Sequence, residues 1–339
     1  MDSYVTLRDI KSTPEGLRSL LRTLFKYLKG LKDLTRGSVE RVVLVGSGTS
    51  YYAALASSYA FNGLSTYVSP SSELYLYPPP LEEGDLAIMF SRSGETTEVL
   101  RALDYVKGRG CKVIALTHNP NSPLSLKSDF TVPVEVGEEG SILMTKTFSG
   151  LTLTGIAIGW SLTGEERKLR ELNKVPEAVE ETLRKSEGEV KELAKSVVGE
   201  GKYVFCLGSG PSYPVAMEVA LKFIEASETP AQGLHLMEFR HGFKVLAYNS
   251  RVFLIAPKGR ALKEAVKLAW EIKGIGSKVT IVSNEEMEGF ESLKIAWEGS
   301  EVLTPPIFTP PLQLLTYHLA VLKGLNPDKP RSLNRVVRL

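Results

Sequence analysis

Val42-Val-Leu-Val-Gly46-Ser-Gly48-Thr-Ser50-Tyr51 is an apolar run of strand length that ends in a glycine- and hydroxyl-rich turn and then becomes helical. The pattern returns as Val204-Phe-Cys-Leu-Gly208-Ser-Gly210-Pro-Ser212-Tyr213, with Ala54 matched by Ala216. A second landmark, Lys107-Gly-Arg-Gly-Cys-Lys-Val113, is repeated as Lys273-Gly-Ile-Gly-Ser-Lys-Val279. Both copies of it sit between a helical pattern and an apolar run. Two matched landmarks at similar separation make the chain a tandem duplication.

Working outward, apolar runs predict strands near 41–45, 65–68, 85–90, 112–116 and 130–133 in the first copy. In the second copy they predict strands near 202–207, 251–255, 278–282 and 301–303. Continuous apolar strands separated by helices define an α/β fold with a parallel sheet covered on both faces. Right-handed crossovers then gather all strand C-termini at one edge, where ligands bind. The charged segment 164–200 reads as a helical connector. The run Gly150 to Leu162 is too short for a membrane span and carries Thr152, Thr154 and Ser161, so it predicts a buried helix. Pro305-Pro306 and Pro310-Pro311 predict breaks, with a helix from Leu312 to Lys323 and a polar tail after it.

Composition narrows the function. The 339 residues are 43% hydrophobic and 24% charged, ordinary for a globular chain of about two domains. A net charge of +2, without a basic run, argues against nucleic acid and anionic membranes as partners. The start of the chain lacks the basic and apolar blocks of a secretory signal. Two cysteines, Cys111 and Cys206, fit a reducing cytoplasm rather than a disulfide framework.

The chemistry centres on Ser91-Arg92-Ser93-Gly94-Glu95-Thr96-Thr97, which follows the apolar run Asp85 to Phe90 and opens a helix. Free backbone N–H groups and the positive end of the helix dipole converge at such a turn, and Ser91, Ser93 and Thr96 add donors without bulk. That is the chemistry of a phosphate cradle. Gly46-Ser47-Gly48-Thr49-Ser50 is a second strand-to-helix turn. Alone it reads as a tight turn; beside the Ser91–Thr96 loop at the same sheet edge it reads as the other wall of the seat. In the second copy the corresponding loop is Pro257-Lys-Gly-Arg-Ala261, without hydroxyls, so only the first copy is expected to hold a phosphate.

Glu218, Lys222 and Glu225 are spaced i, i+4, i+7 and share one face of an otherwise apolar helix. Two readings stand: a solvated face, or a face toward a cleft where a carboxylate beside an ammonium takes and returns protons. His241, in Glu238-Phe-Arg-His-Gly242, suits a loop near a site. His235 is a second candidate, whereas His118 and His318 read as structural. Glu139-Gly-Ser141 reads either as a third loop onto the site or as a helix cap. No metal-ligand spacing, dinucleotide fingerprint or Walker motif is present, so neither a metal nor an organic cofactor is expected.

Taken together these residues resemble the sugar isomerase (SIS) family, and within it the isomerase half of the glutamine–fructose-6-phosphate aminotransferases. The resemblance runs from Leu7-Arg-Asp-Ile10 through Ser47-Gly-Thr-Ser50, Ser91 to Thr96, Glu139 with Thr145-Lys146 and Phe148, Glu218 to Glu225 and Glu238 to Gly242, and ends at Pro330-Arg-Ser-Leu333. It implies two flavodoxin-like SIS domains, at 37–165 and 201–325. Around them it places a helical arm at 1–36, a connector at 166–200 and a tail at 326–339 over the active site. It implies that Ser47, Gly48, Thr49, Ser50, Ser91, Arg92, Ser93, Gly94 and Thr96 bind the phosphate of a hexose or hexosamine 6-phosphate. It further implies that Glu225 moves the proton between C1 and C2. His241 opens the sugar ring from the partner subunit of a homodimer, and Glu218 and Lys222 belong to the active-site helix.

Three departures from the family pattern bear on function. No glutaminase half is expected, since position 2 is Asp2. The tail lysine that forms an imine with the open sugar is replaced by Arg335, which stays protonated and can instead pair with a phosphate or a sugar oxygen. A glutamine of the phosphate loop is replaced by Arg92, whose charge complements a phosphate. The expectation is a cytoplasmic glucosamine-6-phosphate deaminase. The alternatives are a plain aldose–ketose phosphate isomerase, a deglycase of a phosphorylated sugar–amine adduct, and a non-catalytic sugar-phosphate sensor.

Overall fold

A computed structural model describes residues 4–35, 39–198 and 203–337. In chain order the elements are α1 (Val5–Lys11), α2 (Thr13–Leu34), β1 (Arg41–Gly46), α3 (Thr49–Ser58), β2 (Ser65–Pro70), α4 (Ser71–Leu76), β3 (Leu86–Ser91), α5 (Thr97–Gly108), β4 (Lys112–Thr117), α6 (Pro123–Lys127), β5 (Phe130–Pro133) and α7 (Lys146–Leu162). There follow α8 (Val175–Val198), β6 (Val204–Gly208), α9 (Ser212–Ser227), β7 (Ala231–His235), β8 (Arg251–Ile255), α10 (Leu262–Ile275), β9 (Lys278–Ser283), β10 (Glu291–Lys294) and α11 (Thr304–Leu322). The chain forms two compact units. The N-terminal unit comprises Glu15–Glu139, Lys146–Lys174 and the residues from Asn334 on. The C-terminal unit comprises the segment ending at Pro14, Gly140–Thr145 and Val175–Leu333. The expected domain boundaries at 36/37 and 200/201, and the expected strand start at 202, lie outside the described residues.

The N-terminal unit holds a parallel sheet in the order β2-β1-β3-β4-β5. β3 is buried at every position and β1 and β4 at all but the first, as a sheet covered on both faces requires. On one face Val43, Val45, Ala87, Met89, Val113 and Ala115 meet Val99, Leu103 and Val106 of α5. Each such fully buried aliphatic side chain contributes roughly 1.5–3 kcal/mol. α7 is buried from Lys146 to Ser161, as its apolar run predicts.

The C-terminal unit holds a second parallel sheet, which read from its other edge is β7-β6-β8-β9-β10. The connectivity is that of the first sheet, so the duplication extends to the topology. Phe205, Leu207, Val252, Leu254, Val279 and Ile281 pack against Ala265, Leu268, Ala269 and Ile272 of α10. α8 and α9 both pack on α11.

Three expectations are corrected here. Segment 301–303 is not a strand but a 3₁₀ turn, Glu301–Leu303, leading into α11; the edge strand is β10, which buries only Leu293 and so lacks an apolar signature. Ala231 to His235, where no strand was expected, is the edge strand β7. A Cβ on Gly233 would lie 2.6 Å from the Met217 Cα of α9, so only glycine permits this approach. The prolines do not delay α11, which begins at Thr304. Pro305 and Pro306 occupy the first turn, where no N–H acceptor is lost. Pro310 and Pro311 lie inside a helix buried on nearly all sides, and the Thr309 hydroxyl donates to the Pro305 carbonyl (2.8 Å). Packing outweighs propensity there. Among the described residues no helix is long and apolar enough to cross a membrane.

Candidate active site

In the first sheet β1 and β3 are neighbours, Val45 opposite Met89, while their outgoing connections lead to β2 and β4 on opposite sides. The turns after β1 and β3 therefore flank the topological switch point, where open α/β sheets bind ligands. The first turn is tight. Ser50 N donates to Ser47 O (3.1 Å), and Gly48 adopts φ +53° at the N-cap of α3. A Cβ on Gly46 would lie 2.5 Å from the backbone of Ser50. Thr49 and Ser50 are buried, and Ser47 is half-buried.

The second turn is organised by its own hydroxyls. Buried Ser91 accepts from Gly94 N (3.0 Å), and Ser93 accepts from Glu95 N (3.2 Å). Gly94 has φ +66°. Thr96 is the N-cap of α5, yet its side chain makes no capping bond. The arrangement suits an anion at the first turn of a helix of 12 residues.

Arg92 and Glu139 meet here. Arg92 Nη1 lies 3.2 Å from Glu139 Oε2, with side chains 10% and 0% exposed. Glu139 Oε1 accepts from Thr147 N (3.0 Å) in the first turn of α7, so Glu139 is both a loop residue of this site and a helix cap. Arg92 Nη2 also donates to the Arg335 carbonyl (3.3 Å), and Arg335 donates to the Glu139 carbonyl. Three supporting residues carry no mark in the linear sequence. Thr117 Oγ1 donates to Arg92 O (3.1 Å), Ser122 sits against Gly94, and Thr97 N donates to Val337 O (3.4 Å). Register offered one signal: Thr117 ends β4 opposite Ser91 at the end of β3.

In the C-terminal unit Glu218, Lys222 and Glu225 come together on α9. Lys222 Nζ lies 3.2 Å from Glu218 Oε1 and 2.6 Å from Glu225 Oε2. Side-chain exposures of 0%, 2% and 20% reject the solvated-face reading and leave Glu225 as the member open to a ligand. Burial alone would lower the Lys222 ammonium; Glu218 and then Glu225 outweigh it, so its pKa stands above the ordinary lysine value.

His241 is exposed and follows the 3₁₀ turn Glu238–Arg240. Among the described residues no hydrogen bond or ion pair joins it to Glu225. His235, at the end of β7, stacks on Tyr213 with ring centroids 3.5 Å apart, and burial pushes its imidazole below the ordinary pKa. His118 is tied through Nδ1 to Val134 O (3.0 Å).

A parallel sheet with a hydroxyl-lined strand-to-helix turn at its switch point defines a doubly wound α/β protein. Residues 38–162 match the SIS domain family, and this segment of the chain is a SIS domain. The isomerizing glutamine–fructose-6-phosphate aminotransferases of Thermococcus kodakarensis and Aeropyrum pernix are each 33% identical to it over 98% of this chain. The chain spans 56% and 60% of their lengths, so it is homologous to their isomerase portion. Among solved structures, glucosamine-6-phosphate deaminase from Thermotoga maritima superposes with a TM-score of 0.81 at 28% identity, covering 99% of this chain and 100% of that one. The C-terminal domain of the Francisella tularensis aminotransferase shares the fold at a TM-score of 0.88 and 24% identity, over 97% of this chain and 99% of that one.

Proposed function

We propose that the chain is a glucosamine-6-phosphate deaminase. The observation that carries this reading is the correspondence with the Thermotoga maritima deaminase over 99% of this chain and 100% of that one. In this reading residues 37–165 hold the phosphate through Ser47, Thr49, Ser50, Ser91, Ser93 and Thr96, and residues 201–325 supply the catalytic helix. Residues 326–339 lie over the site. The enzyme is a cytoplasmic homodimer, and His241 reaches the site from the partner copy.

His241 moves a proton from the O1 hydroxyl to the ring oxygen and opens the sugar to an aldehyde with a C2 amine. Glu225 takes the C2 proton while O1 is protonated, giving an enolamine. The same carboxyl returns the proton to C1 as nitrogen gives one up, and a C2 imine forms. Water adds to C2 and ammonia leaves, so that glucosamine 6-phosphate and water become fructose 6-phosphate and ammonia. The Lys222 ammonium holds the Glu225 carboxyl group in place through their 2.6 Å contact, and the phosphate anchor restrains the sugar for both transfers.

The test is ammonia release from glucosamine 6-phosphate in a coupled assay. Glu225→Gln is expected to lower kcat by at least about 100-fold, the scale of a lost general base. Ammonia no higher in the wild type than in that variant sinks the reading. Conversion of fructose 6-phosphate to an aldose phosphate would make the chain a plain isomerase, and binding without turnover would make it a sensor.

A further inference from the structure

Arg92, Glu139 and Arg335 form a closed ring of contacts within the N-terminal unit. The Arg92 guanidinium spans the Glu139 carboxylate (3.2 Å) and the Arg335 carbonyl (3.3 Å), and the Arg335 guanidinium returns to the Glu139 carbonyl. Two residues further on, Val337 O accepts from Thr97 N (3.4 Å), the first residue of α5. The ring thus joins three places distant in sequence: the phosphate turn, the loop before α7 and residues 334–337.

Its chemistry is particular to arginine at position 92. A planar guanidinium directs N–H groups from two separate nitrogens to a carboxylate and a carbonyl in a fixed fork; glutamine lacks the charge, and lysine lacks the fork. With Glu139 fully buried and the Arg92 side chain 10% exposed, the pair is poorly screened by solvent. Both Glu139 oxygens are engaged, by Thr147 N and by Arg92, so the acceptor is held in place.

We propose that Arg92 is a positioning residue rather than a phosphate ligand: with Glu139 and Arg335 it clasps residues 334–337 onto the Ser91–Thr97 turn before any sugar phosphate binds. In this proposal the Arg92 charge serves the clasp in place of the phosphate, with one N–H of Nη1 engaged by Glu139 and one of Nη2 by the Arg335 carbonyl. The clasp presents the backbone of 335–337 as a wall of the seat, and its loss leaves the seat with an unfixed rim. Only the effect on turnover rests on the proposed deaminase activity.

Hydrogen–deuterium exchange on the full chain tests the clasp without any activity. Arg92→Gln and Arg335→Ala are expected to speed exchange at least tenfold at the Thr97 amide, which donates to Val337 O, with Arg92→Lys in between. Peptides covering 86–91 should exchange as in the wild type, which shows that the sheet is intact. Inorganic phosphate, titrated calorimetrically, should bind Arg92→Gln within about threefold of the wild type. Unchanged exchange at the Thr97 amide in Arg92→Gln and Arg335→Ala overturns the proposal, as does a tenfold loss of phosphate affinity in Arg92→Gln with that exchange unchanged. On glucosamine 6-phosphate, Arg92→Gln should lower kcat more than it raises KM. Absence of turnover in the wild type would strike the proposed deaminase and leave the clasp to be decided by exchange alone.

Discussion

Gly94 shows how narrowly the Ser91–Thr97 turn is built. Its φ of +66° would strain any side chain, and a Cβ there would lie 2.1 Å from Ser122 Oγ, which itself caps α6 through Ser125 N (3.3 Å). Gly94→Ala therefore meets a left-handed backbone cost of about 1–2 kcal/mol and must also displace a cap worth about 1 kcal/mol. Denaturant unfolding should show a loss of at least about 2 kcal/mol, and Gly94→Ala combined with Ser122→Ala should recover none of the backbone part. A single substitution costing under about 0.5 kcal/mol would contradict this geometry. Much of the turn was legible, because hydroxyls and glycine between an apolar run and a helix leave few other readings. Arg92 was not: its charge suggested a phosphate, and nothing in the linear order showed that Glu139 and Arg335 would take it. Glu218 and Lys222 were ambiguous for a similar reason. Spacing places them on one face but does not say whether that face is buried.

At the level of elements, α11 carries a titratable group that can report on its packing. His318 faces Lys191 and Glu187 of α8 and Lys11 of α1, with Tyr317 beside it at 5.1 Å between ring centroids. Burial, with Lys191 adding to it, pushes the imidazole down to about 4, and Nε2 has no partner among the described residues. A histidine depressed in the folded state contributes stability above its unfolded pKa of about 6.5, which is lost as pH falls through the folded value. The wild type should lose about 1–2 kcal/mol between pH 6.5 and 4 from this group, discounted for its partial exposure. His318→Leu should remove that part, so the gap in Tm between variant and wild type should change across this window and stay flat above pH 7. A gap that is flat throughout would show that His318 protonates freely. Elements buried on both faces were plain in the sequence, as β1, β3, β4, β6, β8 and β9 show. The edge strands β7 and β10 were missed because a half-exposed strand tolerates Gln232, His235, Glu291 and Lys294. α11 was placed too late because burial of its whole circumference offsets the helix-breaking prolines.

Across the whole molecule the duplication is a statement about ancestry of form and not about equivalence of function. Both sheets repeat one strand order, and both first turns repeat one geometry: Gly48 at φ +53° answers to Gly210 at φ +55°. The later turns diverge. Where the first copy has hydroxyls and Gly94, the second has Pro257-Lys-Gly-Arg-Ala261 before α10. A Cβ on Gly259 would lie 2.6–2.7 Å from the carboxyl atoms of Glu301. That carboxylate, delivered by the 3₁₀ turn before α11, stands close to where an anion would approach the start of α10 and repels a second one. A phosphate-bearing ligand should therefore slow amide exchange in peptides covering 46–50 and 91–97 and leave those covering 208–212 and 257–261 unchanged. Glucosamine 6-phosphate and inorganic phosphate should agree in this pattern, since the anion alone decides it. Equal protection in both copies would mean that the Glu301 carboxylate yields to the ligand and that the two halves still share their older role.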